Sequence, residues 1–241
     1  DAYADAAQKC EKWGLDGVEL HGCHGYLPAQ FLSPNANKRT DGYGGSFENR
    51  ARFIMEIMAA IRARVSDDFV VGIRVAHDDT AGGIDASDYT RLSLMLEERG
   101  LVDFVNVSMG NYHSFPKMIG GMHEPVGYEL ATSTPVTRAL KTPTMVIGRF
   151  RTLEEADAVI RAGDADMVAM TRAHFADPDL VNKTLAGHPE QVRPCIACNQ
   201  GCVGNLLGPA GKIGCVVNPA VGYEKAIGDD RLVTVATPGK V

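Results

Sequence analysis

Five times along the chain a short apolar run is followed by polar punctuation and then by a segment of helical periodicity. The runs are Gly17-Val-Glu-Leu-His21, Phe69-Val-Val-Gly-Ile-Arg-Val75, Asp103-Phe-Val-Asn-Val107, Thr144-Met-Val-Ile147 and Ala165-Asp-Met-Val-Ala-Met170. Strands that are apolar along their length and alternate with helices describe a parallel sheet covered by helices. The helical segments are Asp1 to Gly14, Ser46 to Val65 (Phe53, Ile57, Met58, Ile61 and Val65 on one face), and a run capped by Asp85 and ending at Glu98. A short one follows near Pro135–Lys141, one opens at the capping box Thr152-Leu-Glu-Glu, and a last one starts at Asp177-Pro178. Tyr26 to Gly45 and Ser108 to Thr132 read as long loops, a length that is usually functional or mobile.

Each strand is followed by polar residues: His21, Arg74, Ser108, Gly148-Arg149 and Thr171-Arg172. Ligands of such folds bind at the carboxyl ends of the strands, so these positions predict one shared site. A closed eight-stranded barrel takes about 250 residues, whereas five units occupy only the first ~185 positions here, and residue 1 is not Met. Two architectures fit that count: a partial barrel whose front three units lie outside the chain, and a complete open sheet of five strands.

Composition narrows the class. With 24 Lys+Arg against 30 Asp+Glu the formal charge is −6, and no basic stretch is present, which argues against a nucleic-acid partner. No window approaches 18 consecutive apolar residues, and no signal peptide opens the chain, so a cytoplasmic enzyme without a membrane span is expected. The oligomeric state is left open. His77, His123, His174 and His188 read as ordinary polar positions.

Of six cysteines, four fall between residues 195 and 215: Cys195, Cys198, Cys202 and, twelve residues on, Cys215. Clustered cysteines in a chain of this size point to a metal rather than to a disulfide framework. Structural zinc usually pairs two short Cys knuckles, while the three-plus-one spacing here favours a [4Fe–4S] cluster; zinc is the alternative. Cys10 reads as core, and Cys23 is assigned no role. His21 and His24, three apart, point to substrate or anion binding; a metal there lacks an evident third ligand.

Two stretches carry a family resemblance. His21-Gly-Cys-His24-Gly-Tyr26-Leu, running on through Gln30-Phe-Leu-Ser-Pro34 to Asn37-Lys-Arg-Thr-Asp41-Gly-Tyr-Gly-Gly45-Ser-Phe-Glu-Asn-Arg50, resembles the signature of the old yellow enzyme family of NADH:flavin oxidoreductases. Pro194-Cys195-Ile-Ala-Cys198-Asn-Gln-Gly-Cys202 with Cys215-Val-Val-Asn-Pro219 resembles the cluster segment of its iron–sulfur branch, the 2,4-dienoyl-CoA reductase and trimethylamine dehydrogenase group. The resemblance implies a TIM (β/α)8 barrel, present here as about its strands 4–8. Residues 1–190 would form the C-terminal part of that FMN-binding barrel. Residues 191–241 would form the [4Fe–4S] segment and a linker to an FAD/NAD(P)-binding domain absent from this chain.

It further implies roles. His21 and His24 match a pair that donates hydrogen bonds to a bound carbonyl oxygen, where charge builds up as hydride arrives. Tyr26 matches a proton donor, His113 a second proton-handling position, although Gly110-Asn-Tyr-His-Ser114 departs from that pattern by one residue. Arg74 matches a flavin-edge arginine, and Gly148, Arg149, Thr171 and Arg172 the FMN phosphate loops. Cys195, Cys198, Cys202 and Cys215 match the cluster ligands. The expected activity is NAD(P)H-driven reduction of an activated C=C in an enone or enoyl thioester, with electrons passing through FAD, the cluster and FMN. The rivals are an amine dehydrogenase, which would hold its cation in an aromatic bowl, and a non-redox zinc-stabilised binding module.

Overall fold

The computed structural model describes residues 1–209 and 211–231. The expected linker to a further domain, 232–241, and residue 210 of the Gly/Pro-rich excursion before Cys215 lie outside the described residues. The chain divides into two compact units: residues 1–150 with 154–169, and residues 151–153 with 170–241.

The first unit is built on five parallel strands, β1 (Gly17–His21), β2 (Val70–His77), β3 (Phe104–Met109), β4 (Thr144–Val146) and β5 (Met167–Val168). Their order in the sheet is their order in the chain. A doubly wound sheet reverses its strand order at a switch point; this one never does, which is the winding of a barrel wall. Connections between neighbouring parallel strands are right-handed, so such winding puts every crossover helix on one side of the sheet.

The two faces differ accordingly. Leu20, Ile73, Val105 and Thr144 stand side by side in register and are all buried. Over that row lie the crossover helices: α1 (Ala2–Lys12) with Ala4 and Ala7, and α3 (Phe47–Arg62), which follows the short α2 (Leu27–Leu32). Beyond them come α4 (Ala86–Glu98) with Tyr89, Leu92 and Leu96, and, C-terminal to the four-residue α5 (Phe115–Met118), α6 (Leu130–Thr137) with Val136. Ile54, Met58 and Ile61 of α3 are at most 3% exposed. The neighbouring row runs His21, Arg74, Asn106, Met145 and Met167, again in register, but on the face away from this core. Period-two alternation therefore assigns one face of the sheet to packing and the other to polar work.

Helix starts follow capping chemistry. The Ser46 hydroxyl accepts from the Asn49 amide at α3, and the Asp85 carboxylate accepts from the Ser87 and Asp88 amides at α4. Three expectations are corrected. Tyr26 to Gly45 is no structureless loop: α2 begins there with a proline in its first turn, Phe31 stacks on Phe53 at 4.2 Å between centroids, and the Asn37 amide donates to the carbonyls of Phe31 and Tyr43 at 2.6 Å each. The helix expected over Pro135–Lys141 is α6, set five residues earlier, its first turn held by the Thr132 and Ser133 hydroxyls on the Glu129 carbonyl.

The third correction is in the second unit, which begins with α8 (Thr171–Ala176), followed, after α7 (Leu153–Arg161) earlier in the chain, by α9 (Leu180–Leu185). Asp177 does not cap α9; its carboxylate is wholly buried. It accepts from Lys183 Nζ at 2.7 Å and from the Asp179 and Arg193 amides. Among the described residues no helix is long and apolar enough to cross a membrane.

Candidate active site and cysteine cavity

In the first unit the tip of β1 turns sharply. His24 and Gly25 both have left-handed backbone, at φ 56° and 77°, and a side chain at Gly22 would press to 2.9 Å of the Arg74 carbonyl. A non-glycine residue held there is strained, and such strain gathers at functional sites. The turn brings His21, His24 and Tyr26 together: the His21 ring lies 5.3 Å from that of His24 and 5.1 Å, edge-on, from that of Tyr26.

The two imidazoles are not equivalent. His24 is buried and its Nδ1 donates to the Gly110 carbonyl at 2.8 Å. Burial pushes its pKa down to about 4 against that hydrogen bond, and the Arg74 and His21 charges push the same way. At neutral pH the ring is uncharged with its proton on Nδ1, so Nε2 offers a lone pair and not a donor. His21 is more exposed; burial and then Arg74 also lower its pKa, but no carbonyl claims its ring protons.

A prediction follows for acid stability. A histidine depressed from 6.5 to about 4 binds its proton more weakly folded than unfolded, so its stabilisation is complete above pH 6.5 and fades as pH falls towards 4. The loss reaches roughly 3 kcal/mol at 1.36 kcal/mol per unit. Urea midpoints measured from pH 7 to pH 4 should fall less steeply for His24→Asn than for the wild type; parallel curves would exclude this origin.

Tyr26, nearly half exposed, shares a 2.6 Å hydrogen bond with the Tyr112 hydroxyl. That bond, and then burial, holds the Tyr26 phenol above its ordinary range, so it keeps its proton at neutral pH. Tyr112 stands on a short 3-10 turn, Tyr112–Ser114, closed by an Asn111/Ser114 capping box. His113, the expected second proton-handling residue, follows Tyr112 on that turn and shares a cavity with it. The cavity, of about 450 Å³, is also lined by Gln30, Asn35, Asp78, Thr80 and Asn111. Tyr112 is one of two residues at this site to which the sequence reading gave no role. The other is Cys23, buried with its Sγ 3.7 Å from His21 Nε2.

Arg74 projects from β2 in register with His21. Its Nη2 donates to Ser108 Oγ at 3.2 Å, and Ser108 Oγ in turn lies 3.3 Å from Glu129 Oε2. Its Nε is buried without a hydrogen-bond partner. An arginine with one buried and unused N–H can meet an acceptor-rich ligand. Gly148 follows β4, its carbonyl accepting from the Gly127 amide at 2.7 Å. Arg149 is held in left-handed backbone at φ 60°.

The second unit gathers the cysteines. Cys195, Cys198, Cys202 and Cys215 line one small cavity with Arg172, Phe175, Ala197 and Asn199. Ala197 and Asn199 are left-handed at φ 54° and 58°, which curls the segment so that its thiols face inward, and the Ala197 amide donates to Cys195 Sγ at 3.4 Å. A π-helical turn, Gln200–Gly204, carries Cys202. Gly201 lets the distant cysteine approach: a Cβ there would lie 3.0–3.1 Å from three backbone atoms of Cys215, and the Gly214 amide donates to the Gly201 carbonyl at 2.7 Å. Thr171 opens α8, and Arg172 Nη1 donates to Asn199 Oδ1 at 2.6 Å, which puts this expected phosphate ligand at the cysteine cavity.

A family profile described as NADH:flavin oxidoreductase / NADH oxidase matches residues 1–191. The chain belongs to this family. It is 36% identical over 240 residues to a metal reductase from Desulforamulus reducens, a match covering 100% of this chain and 35% of that protein. Among solved structures it superposes with a TM-score of 0.87 on a 2-naphthoyl-CoA reductase in complex with 2-naphthoyl-CoA, at 36% identity over 92% of this chain and 34% of the other. A histamine dehydrogenase from Rhizobium sp. 4-9 follows at 0.82 and 29%, covering 92% of this chain and 32% of that one. The chain thus spans about a third of the length of the relatives it matches. The chain has the parallel α/β fold of TIM-barrel flavoenzymes.

Proposed function

We propose that this chain carries the substrate face of an FMN- and [4Fe–4S]-dependent reductase that saturates the C=C of an enone, enoate or enoyl thioester at the expense of NAD(P)H. Residues 1–190 are assigned to the FMN barrel and 191–241 to the cluster segment. The observation that carries the reading is the His21–Tyr26–Tyr112 array, a hydrogen-bond donor beside a phenol kept protonated, at the tip of β1. The likeness to 2-naphthoyl-CoA reductase supports it.

Arg74 would meet the flavin's pyrimidine edge, and Gly148 and Arg149 would meet its phosphate, while Arg172 lies at the cysteine cavity of the second unit. The four cysteines would ligate the cluster as thiolates. They line one cavity. When bound, FMN supplies hydride to the β-carbon and the cluster supplies single electrons. The chain's own residues do the rest. His21 donates to the substrate oxygen and stabilises the charge that gathers there. Tyr26 delivers the proton to the α-carbon, and Tyr112, hydrogen-bonded to it, is the group through which the proton is replaced. His24 supports its neighbour in place of donating itself.

Anaerobic stopped-flow spectroscopy of the holoenzyme tests this: flavin reduced by NADPH is expected to be reoxidised by an enoyl thioester, and flavin that stays reduced would refute the reading. A second reading has its own observation. Tyr112 packs edge-on against Tyr26 at 5.8 Å and stacks with Phe115 at 6.2 Å. Such an aromatic wall also suits an alkylammonium, as in an amine dehydrogenase. Bleaching of the flavin by a tertiary amine without nicotinamide would decide for it.

A further inference from the structure

The site as described leaves Cys23 without a task, although it sits between the two histidines. Its Sγ is 3.7 Å from Nε2 and 3.9 Å from Nδ1 of His21, and donor atoms of His21, Cys23 and His24 all lie within 4.8 Å of one another. Zinc holds nitrogen at about 2.0–2.1 Å and sulfur at about 2.3 Å, which in a tetrahedron sets them about 3.5 Å apart. The His21–Cys23 pair is already within a few tenths of an ångström of that. The His24 Nδ1–H bond to the Gly110 carbonyl is the arrangement that orients a metal-bound imidazole from outside, and it leaves Nε2 to the ion. The turn is held in place, because the Gly22 amide donates to the Arg74 carbonyl at 2.9 Å and His24 is left-handed. Exposed His21 gives the ion its entry while the sulfur stays buried.

We propose that His21, Cys23 and His24 form a binding site for a soft divalent cation of the zinc type, with water completing the coordination. Binding exchanges the thiol proton for the metal: the S–H proton passes to solvent, a sulfur–metal bond forms, and no electron moves. Burial holds the Cys23 thiol protonated, well above its ordinary range and only partly countered by the Arg74 charge, so the ion has to displace that proton. Because His21 is also the donor to the substrate oxygen, a bound ion shuts the substrate out. This second half rests on the proposed reductase function; the binding itself does not.

Two measurements on the holoenzyme separate the halves. Zinc-edge X-ray absorption of the zinc-loaded protein sees zinc and not cluster iron; one sulfur among nitrogen and oxygen ligands is expected. A sulfur-free or all-sulfur shell would overturn the site. For the second half, zinc should inhibit turnover competitively with the enoyl thioester. Cys23→Ser and Cys23→Ala, active without zinc, should need at least roughly tenfold more of it. Variants as zinc-sensitive as the wild type would overturn the assignment of Cys23, and a one-sulfur shell without inhibition would overturn the blocking role alone.

Discussion

Phenylalanine at position 26 slows reoxidation of the reduced enzyme by an enoyl thioester by about 10²- to 10⁴-fold, the range a positioned general acid contributes, and leaves reduction by NAD(P)H at the wild-type rate. The asymmetry comes from where the phenol stands. Tyr26 lies beside His21, with its hydroxyl on that of Tyr112, and it has no part in the cysteine cavity. Losing the hydroxyl removes the proton and nothing that electrons use to enter. In this single half-reaction Tyr112→Phe should cost much less, because Tyr26 keeps its own proton and loses the bond that raises its pKa, while replacement of the proton falls in later turnovers. Double-mixing stopped-flow at matched flavin content measures both half-reactions. If the enzyme is instead an amine dehydrogenase, no α-carbon is protonated, and Tyr26→Phe changes flavin reduction by the amine through packing alone. Equal loss in both half-reactions would remove Tyr26 from the acid role.

Valine at Gly201 should empty the cysteine cavity although every cysteine remains. A Cβ there would sit 3.0–3.1 Å from the Cys215 N, Cα and C atoms. These are backbone atoms that cannot swing aside as a side-chain tip can, and the bulk beyond Cβ adds to the crowding. The Gly214 amide and the Gly201 carbonyl, now 2.7 Å apart, would be pushed out of hydrogen-bond range. Cys215 then leaves the other three, and a four-ligand centre becomes a three-ligand one. Iron and acid-labile sulfide per chain should fall at least roughly tenfold, with visible absorbance between the flavin bands lost in parallel, while flavin content stays near that of the wild type. Full iron in Gly201→Val would mean that Cys215 does not need this close approach.

Much of this molecule could be read before any coordinates. The strand segments and the Ser46 and Asp85 helix starts each depend on local chemistry: two-residue alternation and a side-chain oxygen beside free amides. The misreadings have one cause. Asp177 looked like a cap because its neighbours in sequence permit it, yet its carboxylate is claimed by Lys183 and the Arg193 amide. Tyr26 to Gly45 looked like an open loop because nothing local announces that Phe31 will stack on Phe53 or that Arg50 Nε will donate to the Leu32 carbonyl at 2.8 Å.

The active-site face divides in the same way. That His21 ends β1, with Tyr26 shortly after it, was decided by the order of residues along the chain; Arg74, expected after its strand, stands inside β2 and shares this face through its register with His21. Which ring of the histidine pair can donate, that Tyr112 and not His113 meets Tyr26, and that Cys23 faces His21 were decided by contacts between residues up to 86 positions apart. Hydrogen bonds and burial set protonation, and neither exists until the chain has folded.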